Sequence, residues 1–202
     1  MLKLSERTPK SCLSLDFSLQ HLAFSIYPVR NIQNLALVGF MGTGKSSVGR
    51  LAAELLQFEF VDTDELIESQ SGISIEEIFK QQGEGAFRQL EQDVVSKLSQ
   101  RQKLVIATGG GLVADPANMA SLKTHALVVC LWASPETIWE RVQTQTHRPL
   151  LQTADPLGKI RELFALRDPL YRQADVLIQT GQRSPKEVVH QVLKQFQSAR
   201  HQ

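Results

Sequence analysis

The stretch with the clearest chemical potential is GFMGTGKSSV at residues 39–48, where three glycines precede a lysine and two serines. It fits the pattern G-x-x-x-x-G-K-[ST], a Walker A sequence, in which backbone N–H groups of a glycine-rich loop bind phosphate oxygens. An apolar run precedes it and a helical pattern follows it, so the positive end of a helix dipole would face the phosphates. Lys45 would reach the β- and γ-phosphates, and the Ser46 hydroxyl would ligate Mg²⁺. The stretch therefore predicts nucleotide binding.

Two aspartates follow the second apolar run, in the sequence VDTD at residues 61–64. Parallel strands present ligands at their carboxyl ends, and residues two apart in an extended chain point the same way. Asp62 and Asp64 would then face one cleft, one holding the magnesium shell and the other a substrate hydroxyl. Aspartate is also common in turns, and this motif alone leaves both interpretations open.

A third signal, TGGG at residues 108–111, directly follows the next apolar run. Three glycines there leave room for a ligand to approach bare backbone N–H groups, although a sharp turn is the alternative. Arginines that could bind a carboxylate or a phosphate occur at positions 88, 148 and 167. Each of them alone is more typical of a solvated surface charge.

The elements that would position these residues alternate between short apolar runs and longer stretches with helical spacing. Five runs predict strands: LALVG (35–39), FEFVD (58–62), LVIAT (104–108), ALVVCLW (126–132) and DVLIQ (175–179). Because none shows clean polar alternation, each is expected to be covered on both faces. Such strands are typical of a parallel sheet flanked by helices.

Helix signals agree with this arrangement. Ser74 with Glu77 and Ser184 with Glu187 fit capping boxes at helix starts. Prolines that suit the first helical position follow an aspartate or a serine at 116, 135 and 185. Spacing between residues 85 and 98 predicts one buried helical stripe made of Phe87, Leu90, Val94 and Leu98. Arg88 and Glu91 would lie at the border of that stripe.

Composition narrows the function classes. The chain has 202 residues, 42% of them apolar and 21% charged, as expected for one globular domain. A net charge of +1 with dispersed basic residues argues against nucleic-acid or polybasic membrane binding and favours a small-molecule partner. The longest apolar run, of about eight residues, is far shorter than the roughly 20 needed to span a bilayer. Cys12 and Cys130 are far apart, so no disulfide is expected.

Two segments lack regular patterning. Residues 1–33 are interpreted as a poorly ordered extension or an over-long start, with a transit peptide as the alternative. The stretch THRPLLQTADP at 146–156 predicts a long loop, and loops of that length in compact domains are often lids. We expect the lid at about 144–157, within a domain that covers residues 34–202.

Taken in order, these motifs resemble the shikimate kinase family from about residue 34 to residue 196. The resemblance is carried by GFMGTGKSSVG, DTD, GEGAFRQLE (83–91), TGGG, RPLL (148–151) and RDPLYRQAD (167–175). It implies a three-layer α/β/α P-loop kinase fold, with a five-stranded parallel sheet in the order 2-3-1-4-5 and a lid. It also implies an ATP-dependent transferase that phosphorylates the 3-hydroxyl of shikimate in aromatic amino-acid biosynthesis, as a cytoplasmic monomer using one Mg²⁺. A transit peptide at residues 1–33 would instead indicate a plastid.

The resemblance also implies roles for individual residues. Lys45, Asp64 and Arg148 would be catalytic: Asp64 accepts the proton of the attacking hydroxyl, and Arg148 reaches the transferring phosphate from the lid. Arg88 and Arg167 would grip the carboxylate of shikimate. Backbone contacts beside that carboxylate would come from Gly109, Gly110 and Gly111.

On the nucleotide side, the resemblance places Ser46 and Asp62 at the magnesium ion, with Asp62 in its outer shell. Arg141 and Pro185 would sandwich adenine. The phosphates would be bound by Gly42, Thr43, Gly44, Lys45, Ser46, Ser47 and Arg148. Two alternatives remain open, namely a P-loop kinase of another hydroxy acid such as gluconate and a non-catalytic nucleotide-binding relative.

Overall fold

A computed structural model describes residues 30–144 and 153–200. Five parallel strands form one sheet: β1 (Asn34–Val38), β2 (Glu59–Asp62), β3 (Leu104–Ala107), β4 (Ala126–Trp132) and β5 (Val176–Gln179). Their order across the sheet is β2-β3-β1-β4-β5, and all four pairings are parallel. The predicted strands and strand order are confirmed, with boundaries that differ by at most one residue at each end.

Helices occupy the stretches between the strands. They are α1 (Lys45–Leu56), α2 (Thr63–Ser71), α3 (Ile75–Leu98), α4 (Pro116–His125), α5 (Pro135–Val142), α6 (Pro156–Tyr171) and α7 (Pro185–Arg200), with a short 3₁₀ turn at Leu112–Ala114. Capping side chains begin several of them as predicted: Ser74 Oγ accepts from the backbone N–H of Glu77 at 3.2 Å. At α7 the capping box is complete, because the Glu187 carboxylate also accepts from the backbone N–H of Ser184 at 2.8 Å.

Both faces of the sheet are buried along its three central strands, β3, β1 and β4, which explains their uninterrupted apolar runs. The edge strands β2 and β5 are only partly buried, so the expectation that every strand is covered on both faces was wrong for these two. Successive residues of β1 point to opposite sides. Leu35 and Leu37 pack in a core with α1 and α7, whereas Ala36 and Val38 pack in a second core with helices α2 to α6. The three-layer α/β/α arrangement is therefore confirmed.

Helix α3 carries the predicted apolar stripe toward the second core. Phe87, Val94 and Leu98 are buried. Gly83 interrupts the helical dihedrals with φ 79° and ψ 174°, so α3 consists of two helical stretches. The GEGAFRQLE motif begins at this interruption, and its Phe87 belongs to the second core.

Parts of the sequence interpretation concern segments that the structure does not describe. Arg148 and most of the proposed lid fall within residues 145–152, and nearly all of the proposed extension falls within residues 1–29. The domain boundaries stay predictions.

In the two described ranges, no helix is long and apolar enough to cross a membrane. Cys130 is a buried free thiol, and burial raises its pKa to about 12.

Candidate active site

The glycine-rich loop between β1 and α1 forms a cradle at the carboxyl edge of the sheet. Gly44 caps α1 with φ 95°, a left-handed conformation that favours glycine. The Lys45 ammonium donates to the carbonyls of Gly39 and Phe40, at 2.8 and 2.9 Å. These bonds hold the charge of Lys45 against the loop, next to the N-terminus of α1, where phosphate groups are favoured.

A cleft of about 570 Å³ opens at this cradle. Its lining includes Arg141 and Pro185, the two residues assigned to adenine, as well as Asp64 and Gly110. One cavity thus connects the predicted base, phosphate and acceptor positions.

Asp62 lies beside Ser46 because it also caps the next helix. One carboxylate oxygen of Asp62 accepts from the backbone N–H of Asp64 at 3.1 Å, at the start of α2. The other accepts from the Ser46 hydroxyl at 2.9 Å. The cap fixes the Asp62 carboxylate, so a hydroxyl and a carboxylate oxygen lie together at the mouth of the cradle.

This pair of oxygen donors fits Mg²⁺, which takes one or two protein ligands and completes its shell with phosphates and water. In the described ranges no group of three or more His, Cys, Asp or Glu side chains could hold a metal ion.

The Asp64 carboxylate packs directly on the backbone of Gly109. A Cβ atom at position 109 would lie 3.1 Å from Asp64 Cγ and 3.2 Å from Oδ2, and it would collide with Oδ1. Gly109 does not have a positive φ, so glycine is needed here for space and not for backbone conformation. The Gly109 N–H also donates to Thr63 Oγ1 at 2.9 Å, which ties the end of β3 to the start of α2.

The guanidinium of Arg88 lies against the last glycine of the same motif. A Cβ atom at Gly111 would lie 3.0 Å from Nη1 of Arg88 and 3.3 Å from Nη2. Arg88 donates from Nη1 to the Glu91 carboxylate at 2.6 Å and from Nη2 to the Glu84 carboxylate at 2.8 Å. The side chain of Glu91 is 1% exposed, and that of Glu84 is 66% exposed.

Burial and charge act in opposite directions on this ion pair. Burial raises the pKa of Glu91, and the hydrogen bond and charge of Arg88 oppose that rise. Burial alone would lower the pKa of Arg88, but its bonds to Glu91 and Glu84 outweigh burial and raise it. The charges of Asp64 and Arg167 also act on Glu91. The side chains of Asp64, Arg88, Glu91 and Arg167 are therefore close enough to interact electrostatically.

The middle glycine of the motif contacts α6. The Gly110 carbonyl accepts from Arg167 Nη1 at 3.4 Å and from the Tyr171 hydroxyl at 2.5 Å. Tyr171 is buried, and burial raises the pKa of its hydroxyl, so it remains a hydrogen-bond donor at neutral pH. Together, the three glycines place Asp64, Arg88 and Arg167 around one short piece of backbone.

Comparison with known proteins agrees with this geometry. A sequence model of the shikimate kinase family matches residues 41–197. The shikimate kinase of Thermodesulfovibrio yellowstonii is 45% identical over 166 residues, which cover 82% of this chain and 96% of that protein. That of Hahella chejuensis is 44% identical over 185 residues, which cover 90% of this chain and 96% of that protein. The chain belongs to the shikimate kinase family.

A solved shikimate kinase has the same fold as this family member. The protein from Acinetobacter baumannii, solved in complex with shikimate, is 39% identical and superposes with a TM-score of 0.79. The match covers 87% of this chain and all of that protein. The family and fold predicted from the motifs are confirmed.

In this shikimate kinase family member, most residues singled out in the sequence meet at one place. Asp64 and Gly110 line the cleft, whereas Arg88 and Arg167 do not border it directly. Arg167 donates to the Gly110 carbonyl, and Arg88 lies against the adjacent Gly111. Arg148 belongs to the part of the chain that the structure leaves undescribed.

Sequence reasoning missed the contacts of four residues that hold the site together: Thr63, Glu84, Glu91 and Tyr171. Glu84 and Glu91 carried an available signal, because they lie four residues before and three residues after Arg88 in a helix. Tyr171 and Thr63 gave no such signal, since each bonds to a glycine more than 40 residues away.

Proposed function

We propose that the cleft transfers the terminal phosphoryl group of ATP to the 3-hydroxyl of shikimate, giving shikimate 3-phosphate and ADP. The observation that carries this is the convergence of Asp64, Arg88 and Arg167 on the three glycines, in or beside the cleft that contains the Walker A loop. A carboxylate and two guanidinium groups are the complement of a hydroxyl and a carboxylate on one small acid. Family membership supports the same reaction.

The acceptor is oriented by its carboxylate. Arg88 keeps its buried bond to Glu91, whereas its partner Glu84 is exposed, and an exposed ion pair contributes little stability. The shikimate carboxylate can therefore replace Glu84 at small cost while Glu91 continues to hold the guanidinium. Neutral polyols cannot make this exchange and should be poor substrates.

Asp64 then acts on the hydroxyl. The Asp64 backbone N–H is bonded to Asp62 at the start of α2, and the Asp64 carboxylate packs on Gly109, so the side chain is placed in the cleft before the acceptor arrives. It accepts a hydrogen bond from the 3-hydroxyl and takes the proton as the oxygen attacks the γ-phosphorus. Positioning and charge compensation account for most of the catalysis in phosphoryl transfer.

Charge on the transferred group is compensated from the nucleotide side. Lys45 and the N–H groups of the loop at residues 42–47 face the phosphates, and Arg148 would add a second cation from the lid. Ser46 and Asp62 would hold one Mg²⁺, which when bound neutralises charge on the phosphate oxygens. Arg141 and Pro185 would take adenine between them. We further propose that the chain acts as a cytoplasmic monomer.

A coupled ADP-release assay across acceptors tests this proposal. We expect turnover with shikimate and Mg-ATP, and little above the ATPase background with gluconate or nucleoside monophosphates. Turnover with gluconate would favour the other hydroxy-acid kinase. Nucleotide binding without shikimate-stimulated ADP release would favour a non-catalytic relative.

A further inference from the structure

Arg141, in the last turn of α5, makes more hydrogen bonds to the backbone than a base-stacking residue needs. Nη1 donates to the Gly42 carbonyl at 3.3 Å and to Thr180 Oγ1 at 3.1 Å. Nη2 donates to the carbonyls of Thr180 and Gly181, at 2.5 and 3.1 Å. One guanidinium therefore joins the phosphate cradle to the segment after β5, across more than 130 residues of sequence.

Packing at Gly42 reinforces the same connection. Gly42 has φ 73°, and a Cβ atom there would lie 2.7 Å from Val142 Cγ1 and 3.5 Å from Ile138. The cradle thus rests directly on α5, the helix that carries Arg141. Movement of α5 or loss of the guanidinium should therefore change the backbone conformation of the cradle.

The bonds also leave the guanidinium suited to ligand binding. All four hydrogen bonds are made by N–H groups at the edge of the planar guanidinium, so its two flat faces remain available to stack on an aromatic base. Every acceptor is an uncharged carbonyl or hydroxyl, and among the described residues Arg141 forms no ion pair with a carboxylate. Its orientation is fixed while its positive charge stays available.

We propose that Arg141 is a positioning residue for the phosphate cradle, in addition to its place at the base end of the cleft. By tying Gly42 to the segment at residues 180–185, it holds the loop in the conformation that binds a phosphate chain. The inference rests on the nucleotide site of the proposed function, and it predicts an effect on ligands that have no base at all.

The test uses inorganic tripolyphosphate as the probe, measured by titration calorimetry with the full chain. Arg141→Lys keeps the positive charge but cannot make the four edge contacts. We expect this variant to bind tripolyphosphate about five- to tenfold more weakly, because the loop loses hydrogen bonds that hold its conformation. An affinity within twofold of wild type would show that Arg141 serves only the base and would overturn the proposal. So would a wild-type chain that does not bind tripolyphosphate.

Arg183→Lys is the matched control. Arg183 borders the same cleft, but its side chain bonds to the Gln179 carbonyl and to Gln191, within its own part of the chain. We expect tripolyphosphate affinity within twofold of wild type. An equal loss in both lysine variants would mean that any arginine of the cleft matters in the same way, which contradicts a specific connection through Arg141.

Thr180→Val gives a second variant that keeps the Arg141 side chain. It removes one acceptor, while the Trp132 carbonyl keeps its bond from the Thr180 backbone N–H. We expect a two- to threefold loss of tripolyphosphate affinity alone and no further loss when combined with Arg141→Lys. Independent, multiplicative losses would contradict a shared connection.

These measurements separate the inference from the proposed function. Tripolyphosphate binding needs no shikimate, so a chain that fails the acceptor assay can still show the Arg141 effect. Conversely, normal shikimate turnover with unchanged tripolyphosphate affinity in Arg141→Lys would remove only the inference.

Discussion

Gly109→Ala provides a direct test of how the acceptor half of the site is built. The substitution adds one methyl group at a position without a positive φ, so the backbone can accept alanine. The added Cβ would lie 3.1 Å from Asp64 Cγ and would collide with Oδ1. All three atoms of the carboxylate would be closer to it than ordinary van der Waals distance. Asp64 must therefore move, by several tenths of an ångström or more.

The size of this movement sets the expected effect. Misplacing a reacting group by about 1 Å can reduce turnover about 100-fold. We expect Gly109→Ala to lower kcat about 10- to 100-fold. ATP affinity should stay near the wild-type value, because the cradle contacts of Lys45 and the cap made by Asp62 do not involve position 109.

Gly111→Ala is the matched comparison. The same methyl group two residues later would approach the guanidinium of Arg88, at 3.0 and 3.3 Å, and not the carboxylate of Asp64. The Arg88 guanidinium ends a long side chain that can shift slightly, and its proposed role is to bind the acceptor. We expect a KM for shikimate raised about tenfold, with a much smaller change in kcat.

Steady-state ADP release at varied shikimate and ATP, with ATP affinity from calorimetry, distinguishes the two variants. The reasoning is refuted if Gly109→Ala keeps kcat within threefold of wild type. It is also refuted if both variants show the same pattern of kcat and KM, because contacts to different side chains would then have no separate consequences.

Three further outcomes follow from the described contacts. Asp64→Asn should bind ATP normally in calorimetry yet lose turnover about 100-fold or more, since the proposed proton acceptor is gone; unchanged activity would reject that role. Arg88→Ala and Arg167→Ala should each weaken shikimate binding much more than ATP binding, and equal losses for both ligands would indicate misfolding. Burial lowers the pKa of His125 below its ordinary value of 6.5, so the folded state binds fewer protons than the unfolded state. The free energy of unfolding should therefore fall as pH drops below about 6.5. Urea titrations of His125→Gln should show a weaker dependence on pH. An identical pH dependence in the variant would exclude His125 as its source.

The sheet could be predicted from sequence because its signals are local. A strand buried on both faces leaves an unbroken apolar run, and β1 and β4 show such runs. Capping residues such as Ser184 act within three residues of a helix start, so their effect is also visible in sequence. Strand order is not local, and it came from the family resemblance.

The purpose of the glycine motif could not be predicted in the same way. Sequence reasoning assigned the glycines to a ligand that approaches backbone N–H groups. The structure shows that Gly109 and Gly111 make room for protein side chains, and that the Gly109 N–H is bonded to Thr63. This depends on which distant side chains meet β3, and neither periodicity nor turn chemistry contains that information.

The two halves of the site differ in what holds them together, and this bears on how specificity can change. The nucleotide half depends on backbone geometry, with the cradle seated on α5 through Gly42 and Arg141. In the acceptor half, side chains fit against glycine backbone, so one added methyl group would displace Asp64 or Arg88. A P-loop kinase for another acceptor could keep the first half unchanged and replace only the second. Changing acceptor specificity therefore requires change both at the glycines and at the side chains that rest on them. A larger residue in place of a glycine would collide with the side chain, and a smaller side chain alone would leave a gap.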